Sequence, residues 1–135
     1  MNAEIVPPSP PASEHELVLK VIPMPADCNP SGDIFGGWVM AQVDLAGAVL
    51  PMRLARGRVA TIAVKEFLFK HPVRIGDLLS FHAHVTRIGT SSITVVVEVF
   101  AEAMSRPGEH TAVTHATLIY VAVDAQGQPR PLTPA

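Results

Sequence analysis

Between residues 93 and 100 the chain alternates strictly: Ile93, Val95, Val97 and Val99 fall on one side, Thr94, Val96, Glu98 and Phe100 on the other. A period of two is that of a strand, whose successive side chains point to opposite faces. The strand implied runs from Ile93 to Ala103. Leu78 to Arg87 repeats the pattern with Leu79, Phe81, Ala83 and Val85, and Val59 to Phe69 is rich in the β-branched and aromatic residues that strands favour. Glu16 to Met24 and Thr111 to Val123 read as a first and a last strand. Ile75-Gly76-Asp77, Gly89-Thr90-Ser91 and the polar stretch 104–110 supply the turns. One long segment breaks this rhythm. Gly36 to Leu50 reads as a helix, preceded by a loop over 25–35, and Pro51 is expected to end or kink it by removing the hydrogen bond to the Gly47 carbonyl.

One long helix and five mostly antiparallel strands predict an α+β domain, a sheet curled around a central helix. A single helix covers one face only, and a long strand left open at a sheet edge invites aggregation. Pairing of edge strands into a dimer is the expected remedy.

Composition narrows the class. At 135 residues and 48% hydrophobic the chain is one domain with a real core. Asp44, Lys65, Glu98 and His115 interrupt its apolar stretches, so none nears the ~18–20 residues of a membrane span. Residues 1–13 lack the basic start and apolar core of a secretory signal, which points to the cytoplasm. Seven of the thirteen prolines lie in 7–11 and 129–134. Residues 1–13 are therefore expected to be a disordered tail, 14–124 the folded domain, and 125–135 a flexible tail.

A net charge of −2 gives no reason to expect nucleic acid or an anionic membrane as partner. Seven of ten basic residues (Arg53, Arg56, Arg58, Lys65, Lys70, Arg74, Arg87) do fall within one 35-residue window. They are either a local phosphate site or scattered solubilising charge. Cys28, the single cysteine, excludes an internal disulfide and a multi-cysteine metal site, and with no patterned His partner it reads as a small turn residue.

The candidate chemistry lies between Asn29 and Asp44. A turn-rich segment closes on Gly36-Gly37 and opens into the helix, which carries Asp44 two turns on among Met40, Val43, Leu45, Ala46 and Ala48. Backbone N–H groups at a helix start can hold a developing oxyanion, and glycine lets a substrate approach them. A lone acid on the same helix can activate water, and together these features suggest hydrolysis of an activated acyl group. The plainer alternatives are an Asp44 satisfied by amides of another strand or subunit, and glycines that serve only turn and packing. His82 and His84 lie two apart on one strand face, as a metal site would place them. No carboxylate or third histidine repeats nearby at ligand spacing, so they and His115 read as solvent-facing and no metal site is expected. No Gly-x-Ser-x-Gly elbow, phosphate loop or dinucleotide fingerprint is present.

Asp27-Cys28-Asn29-Pro30-Ser31-Gly32-Asp33-Ile34-Phe35-Gly36-Gly37-Trp38, followed by Gln42-Val43-Asp44, closely resembles the bacterial hotdog-fold acyl-CoA thioesterases. The likeness continues through 57–61, 72–77 and 89–93 to Tyr120-Val121-Ala122-Val123-Asp124. It implies a hotdog fold, a long central helix wrapped by a curved five-stranded antiparallel sheet. It also implies edge-to-edge dimers, commonly assembled as trimers of dimers into a hexamer, with sites between subunits.

By the same resemblance the chain is a hydrolase of fatty acid metabolism that converts acyl-CoA to free acid and coenzyme A without a cofactor. Asp44 would be general base or nucleophile, Asn29 would position water or thioester, and the Gly37 N–H would be the oxyanion donor. Gly36, Arg58, His71, Gly89, Ser91 and Ser92 match positions near the substrate in relatives. The chain departs from relatives at Lys65, where they usually carry an acid, at Thr90, where they carry a basic residue, and at Pro51. The rival functions are a non-catalytic acyl-CoA sensor and a hotdog dehydratase acting on hydroxyacyl thioesters. A dehydratase would need a histidine near the helix start, and 29–37 has none.

Overall fold

The computed structural model describes residues 13–132. The expected N-terminal tail, Ser13 apart, and the last three residues lie outside that range. Five strands and one long helix follow in chain order: β1 (Glu16–Val21), α1 (Gly36–Ala55), β2 (Val59–Phe69), β3 (Leu78–Ile88), β4 (Ser92–Glu102) and β5 (His110–Ala122). They form one open antiparallel sheet in the order β1-β3-β4-β5-β2. The α+β layout is as expected, with α1 packed against all five strands.

Alternation turns one face of this sheet into the core. Ile93, Val95, Val97 and Val99 of β4 are fully buried, as are Leu79 and Phe81 of β3 and Ala116 and Tyr120 of β5. Val39, Val43 and Ala46 of α1 close the same core. β1 is shorter than the run from Glu16 to Met24 implied, because Pro23 and Pro25 cannot donate to a ladder.

The helix runs one turn past its expected end. Pro51 sits inside it, buried, and α1 continues to Ala55. One backbone hydrogen bond is missing there, while burial of the ring and anchorage of the helix end offset the loss. Arg56 caps the helix in the left-handed region, at φ 52° and ψ 42°. Arg130 reaches in from the far end of the chain: its Nη2 donates to the Ala55 carbonyl at 2.6 Å and its Nε to that of Val123 at 3.1 Å. Gly57 leaves the room, since a Cβ there would lie 3.0 Å from the guanidinium.

The segment expected to be a flexible tail from residue 125 therefore folds back over 125–132. Val123 bridges Pro129, the Leu132 N–H donates to the Thr90 carbonyl at 2.9 Å, and the Leu132 side chain is buried. Its prolines lack N–H donors, but Arg130 and Leu132 supply the anchors. Among the described residues no helix is long and apolar enough to cross a membrane.

Candidate active site

Asp44 faces out of α1 toward β2, and two hydroxyls fix its carboxylate. Thr61 Oγ1 donates to Asp44 Oδ1 at 2.7 Å. Tyr120 Oη lies 3.0 Å from the same oxygen and 2.8 Å from the Asp44 backbone carbonyl. The sequence builds this locally. Thr61 and Tyr120 are paired across β2 and β5, so both side chains leave the same face of the sheet. Gly47, one turn beyond Asp44, opens the space beneath the helix, because a Cβ there would lie 2.5 Å from Tyr120 Oη.

Burial first, and the adjacent carboxylate second, push the Tyr120 phenol far above its ordinary range. The phenol thus keeps its proton and acts as a donor. With Oδ1 occupied, Asp44 Oδ2 accepts no hydrogen bond from the described residues and faces solvent in the single chain.

The two glycines at the helix start differ in role. A Cβ on Gly36 would come within 3.1 Å of Phe69 Cζ, so Gly36 serves packing between α1 and the end of β2. A Cβ on Gly37 would meet nothing within 4 Å. Trp38 and Val39 both donate to the Phe35 carbonyl, at 3.1 and 3.3 Å, and the N–H groups ahead of them are those an α-helix leaves over. Asn29 shapes the loop in front. Its Oδ1 accepts from the Ser31 and Asp33 N–H groups at 2.9 and 3.1 Å, and its own N–H donates to the Asp33 carbonyl at 2.7 Å. Within one chain Asn29 is not a partner of Asp44.

The expected substrate-contacting residues separate into two groups at opposite ends of β2. Arg58 lies at one end, where its carbonyl accepts from Val123 and the Ser91 carbonyl accepts from Ala122. Gly89 and Ser92 close the same turn by a 2.8 Å bond. At the other end His71 and Gly36 line a cavity of about 330 Å³ with Asp33, Phe69 and Val73. A strand of this length separates the groups by roughly 33 Å. A larger cavity, about 660 Å³, also lies at the His71 end, between Arg74 and Arg106. Asp44 lines neither.

Residues 31–107 match the family model of the thioesterase superfamily. The chain belongs to that superfamily. It is 47% identical over 119 residues to the acyl-CoA thioester hydrolase YciA of Salmonella typhimurium, an alignment covering 87% of this chain and 90% of the relative. Among solved structures it is similar to the hexameric thioesterase y2039 from Yersinia pestis, at a TM-score of 0.85 and 43% identity over 91% of this chain and 99% of that one. It is also similar to Cj0915, a hexameric hotdog fold thioesterase of Campylobacter jejuni, at 0.82 and 42% over 87% and 90%. The fold is the hotdog fold.

One reading left open for this thioesterase-superfamily chain is narrowed, and one expectation is overturned. The basic window is not one cluster: Arg53 pairs with Glu16 at 2.7 Å, while Arg58 Nη1 donates to the Ala125 carbonyl at 3.2 Å. The strand histidines are not solvent-facing. His82 is buried, with its ring edge against Phe100, and His84 is half-buried and stacked on His15. Burial, then His15, lower the His84 pKa, with Glu98 opposing and His115 reinforcing.

The pattern of acids and glycines along the chain does not mark the Thr61 and Tyr120 hydroxyls. The available signal was the chain's only tyrosine at an inward strand position, together with a glycine three residues after the single helical acid.

Proposed function

We propose that this protein hydrolyses acyl-CoA to a free carboxylic acid and coenzyme A. The observation that carries the reading is the Asp44 carboxylate, with one oxygen fixed by Thr61 and Tyr120 and the other open. Asp44 Oδ2 takes a proton from water as the water oxygen attacks the thioester carbonyl carbon. The carbonyl oxygen becomes an oxyanion and accepts the Gly37 N–H at the positive end of α1. Collapse breaks the C–S bond, and the proton held by Asp44 passes to the departing thiolate. Every step uses side chains, backbone and water.

The two ends of β2 give the assembly. Asp44 is bonded to Thr61 near the start of the strand, whereas Gly36 at the helix start packs on Phe69 at its finish. A twofold axis that pairs the open β2 edges antiparallel sets the finish of one β2 beside the start of the other. Gly37 and Asn29 of one protomer then stand across from Asp44 of the other, with the Asn29 Nδ2 group left to orient water. Arg58, Gly89, Ser91 and Ser92 of one protomer and His71 and Gly36 of the other meet the same elongated substrate. Three such dimers give a hexamer, the state of the similar Yersinia pestis and Campylobacter jejuni thioesterases.

The test is free-thiol release from short, medium, long and aryl acyl-CoAs, with Asp44→Asn as control. Turnover that falls at least about 100-fold in the folded variant is the expected result. Equal rates in variant and parent would refute the scheme. Tight acyl-CoA binding without turnover would indicate a sensor.

A further inference from the structure

The sheet face turned away from α1 carries a second cluster of chemistry-bearing side chains, unrelated to the acyl-CoA reading. Glu98 alternates with the buried Val97 and Val99, so it points outward from β4. Its cross-strand partners are His82 on β3 and His115 on β5, and His84 shares the face of His82 two residues on. His15, just ahead of β1, joins them: its carbonyl lies 3.1 Å from His82 Nδ1, and its ring stacks on that of His84 with centroids 3.6 Å apart. Four imidazoles thus surround one carboxylate.

We propose that His15, His84 and Glu98 form a binding site for a divalent zinc-type cation. Each offers a ligand atom within 4.8 Å of the others. A tetrahedral zinc ion sets its nitrogen and oxygen ligands about 3.3 Å apart, so the three side chains close in on binding. The groups are poorly used otherwise. His84 Nδ1 is buried with no hydrogen-bond partner among the described residues. Glu98 Oε1 has only a 3.4 Å bond from Ser13 and a 3.8 Å approach of His15 Nε2.

Two imidazoles and a carboxylate are a donor set suited to zinc, with one position left for solvent. An ion there ties the approach to β1 to both β3 and β4, pinning the short edge strand. Binding tilts the His15 and His84 rings out of their parallel stack so that their lone pairs converge.

The experiment is calorimetric titration of the full-length, chelator-stripped protein with zinc chloride. Thermal melts with and without zinc, and cobalt(II) absorption, accompany it. The expected result is one zinc per chain, a higher melting temperature with zinc, and at least about tenfold weaker binding in both His84→Ala and Glu98→Gln. Cys28→Ser should bind as the parent does, which excludes the lone thiol as the ligand. Glu98→Gln is near-isosteric, so it decides the question if His84→Ala fails to fold. Absence of uptake at micromolar zinc, or uptake that survives Glu98→Gln with no effect on melting, overturns the proposal.

Discussion

The two edges of the sheet are built on opposite plans. β1 has six residues and a charged margin in which Glu16 meets Arg53 at 2.7 Å, although both edges carry register shifts, one in β1 and two in β2. β2 has eleven and exposes Ile62 (59%) and Phe69 (53%), beside Leu45 of α1 (61%). Short and charged edges resist pairing with another chain. A longer edge that exposes large apolar side chains beside an exposed leucine of the helix is a surface awaiting a partner. The edge left open is also the one that carries Thr61, the residue hydrogen-bonded to Asp44. In the proposed scheme association and chemistry therefore share one strand, and the opposite edge takes part in neither.

The largest expected effect comes from closing the open edge. Val64→Lys puts like charges near the twofold axis; it should yield monomers by light scattering and cut thioester hydrolysis at least about 100-fold. Full activity in a monomer would dissolve the link between edge and site. Next is Gly47→Ala, whose new methyl group crowds Tyr120 Oη. Overpacking of this kind should cost about 1–3 kcal/mol in urea denaturation and lower activity as well.

Tyr120→Phe removes one donor and leaves the ring in place. A roughly tenfold fall in kcat/KM, about 1.4 kcal/mol, is expected, with less than additive loss when combined with Thr61→Val. Because the phenol stays protonated well past the ordinary tyrosine range, the parent's rate should show no titration of this group between pH 6 and about 10. The smallest effects belong to β1. Leu17→Lys should leave oligomeric state and turnover unchanged, and Arg53→Ala should move stability by less than about 1 kcal/mol, as exposed ion pairs do.

Much of this was legible because alternation is a local property. β2 spans the residues its composition implied, and β3, β4 and β5 begin and end within a residue or so of their patterns. The helix start at Gly36 and the isolation of Asp44 were equally visible. Features that depend on distant partners were not. Nothing near Pro51 announces that Arg130, some 80 positions on, holds the helix end, and a proline-rich terminus gives no sign that Leu132 packs inward. His84 lacked a third ligand in sequence because His15 and Glu98 reach it through strand pairing and a loop approach. Tyr120 looked like any inward strand residue until the hole left by Gly47 gave its hydroxyl a destination.

The strand order also sets a timetable. β2 pairs only with β5, yet β3 and β4 are made between them, and 53 residues separate Phe69 from Ala122. At ordinary rates of translation the ribosome needs roughly 3 to 10 s to cover that distance. Throughout it the nascent chain carries an eleven-residue strand, rich in β-branched and aromatic side chains, with neither edge paired, beside a helix whose last carbonyls still await Arg130. Completion of β5 should therefore be the moment of commitment for the newborn polypeptide, and the interval before it the period of greatest dependence on chaperones.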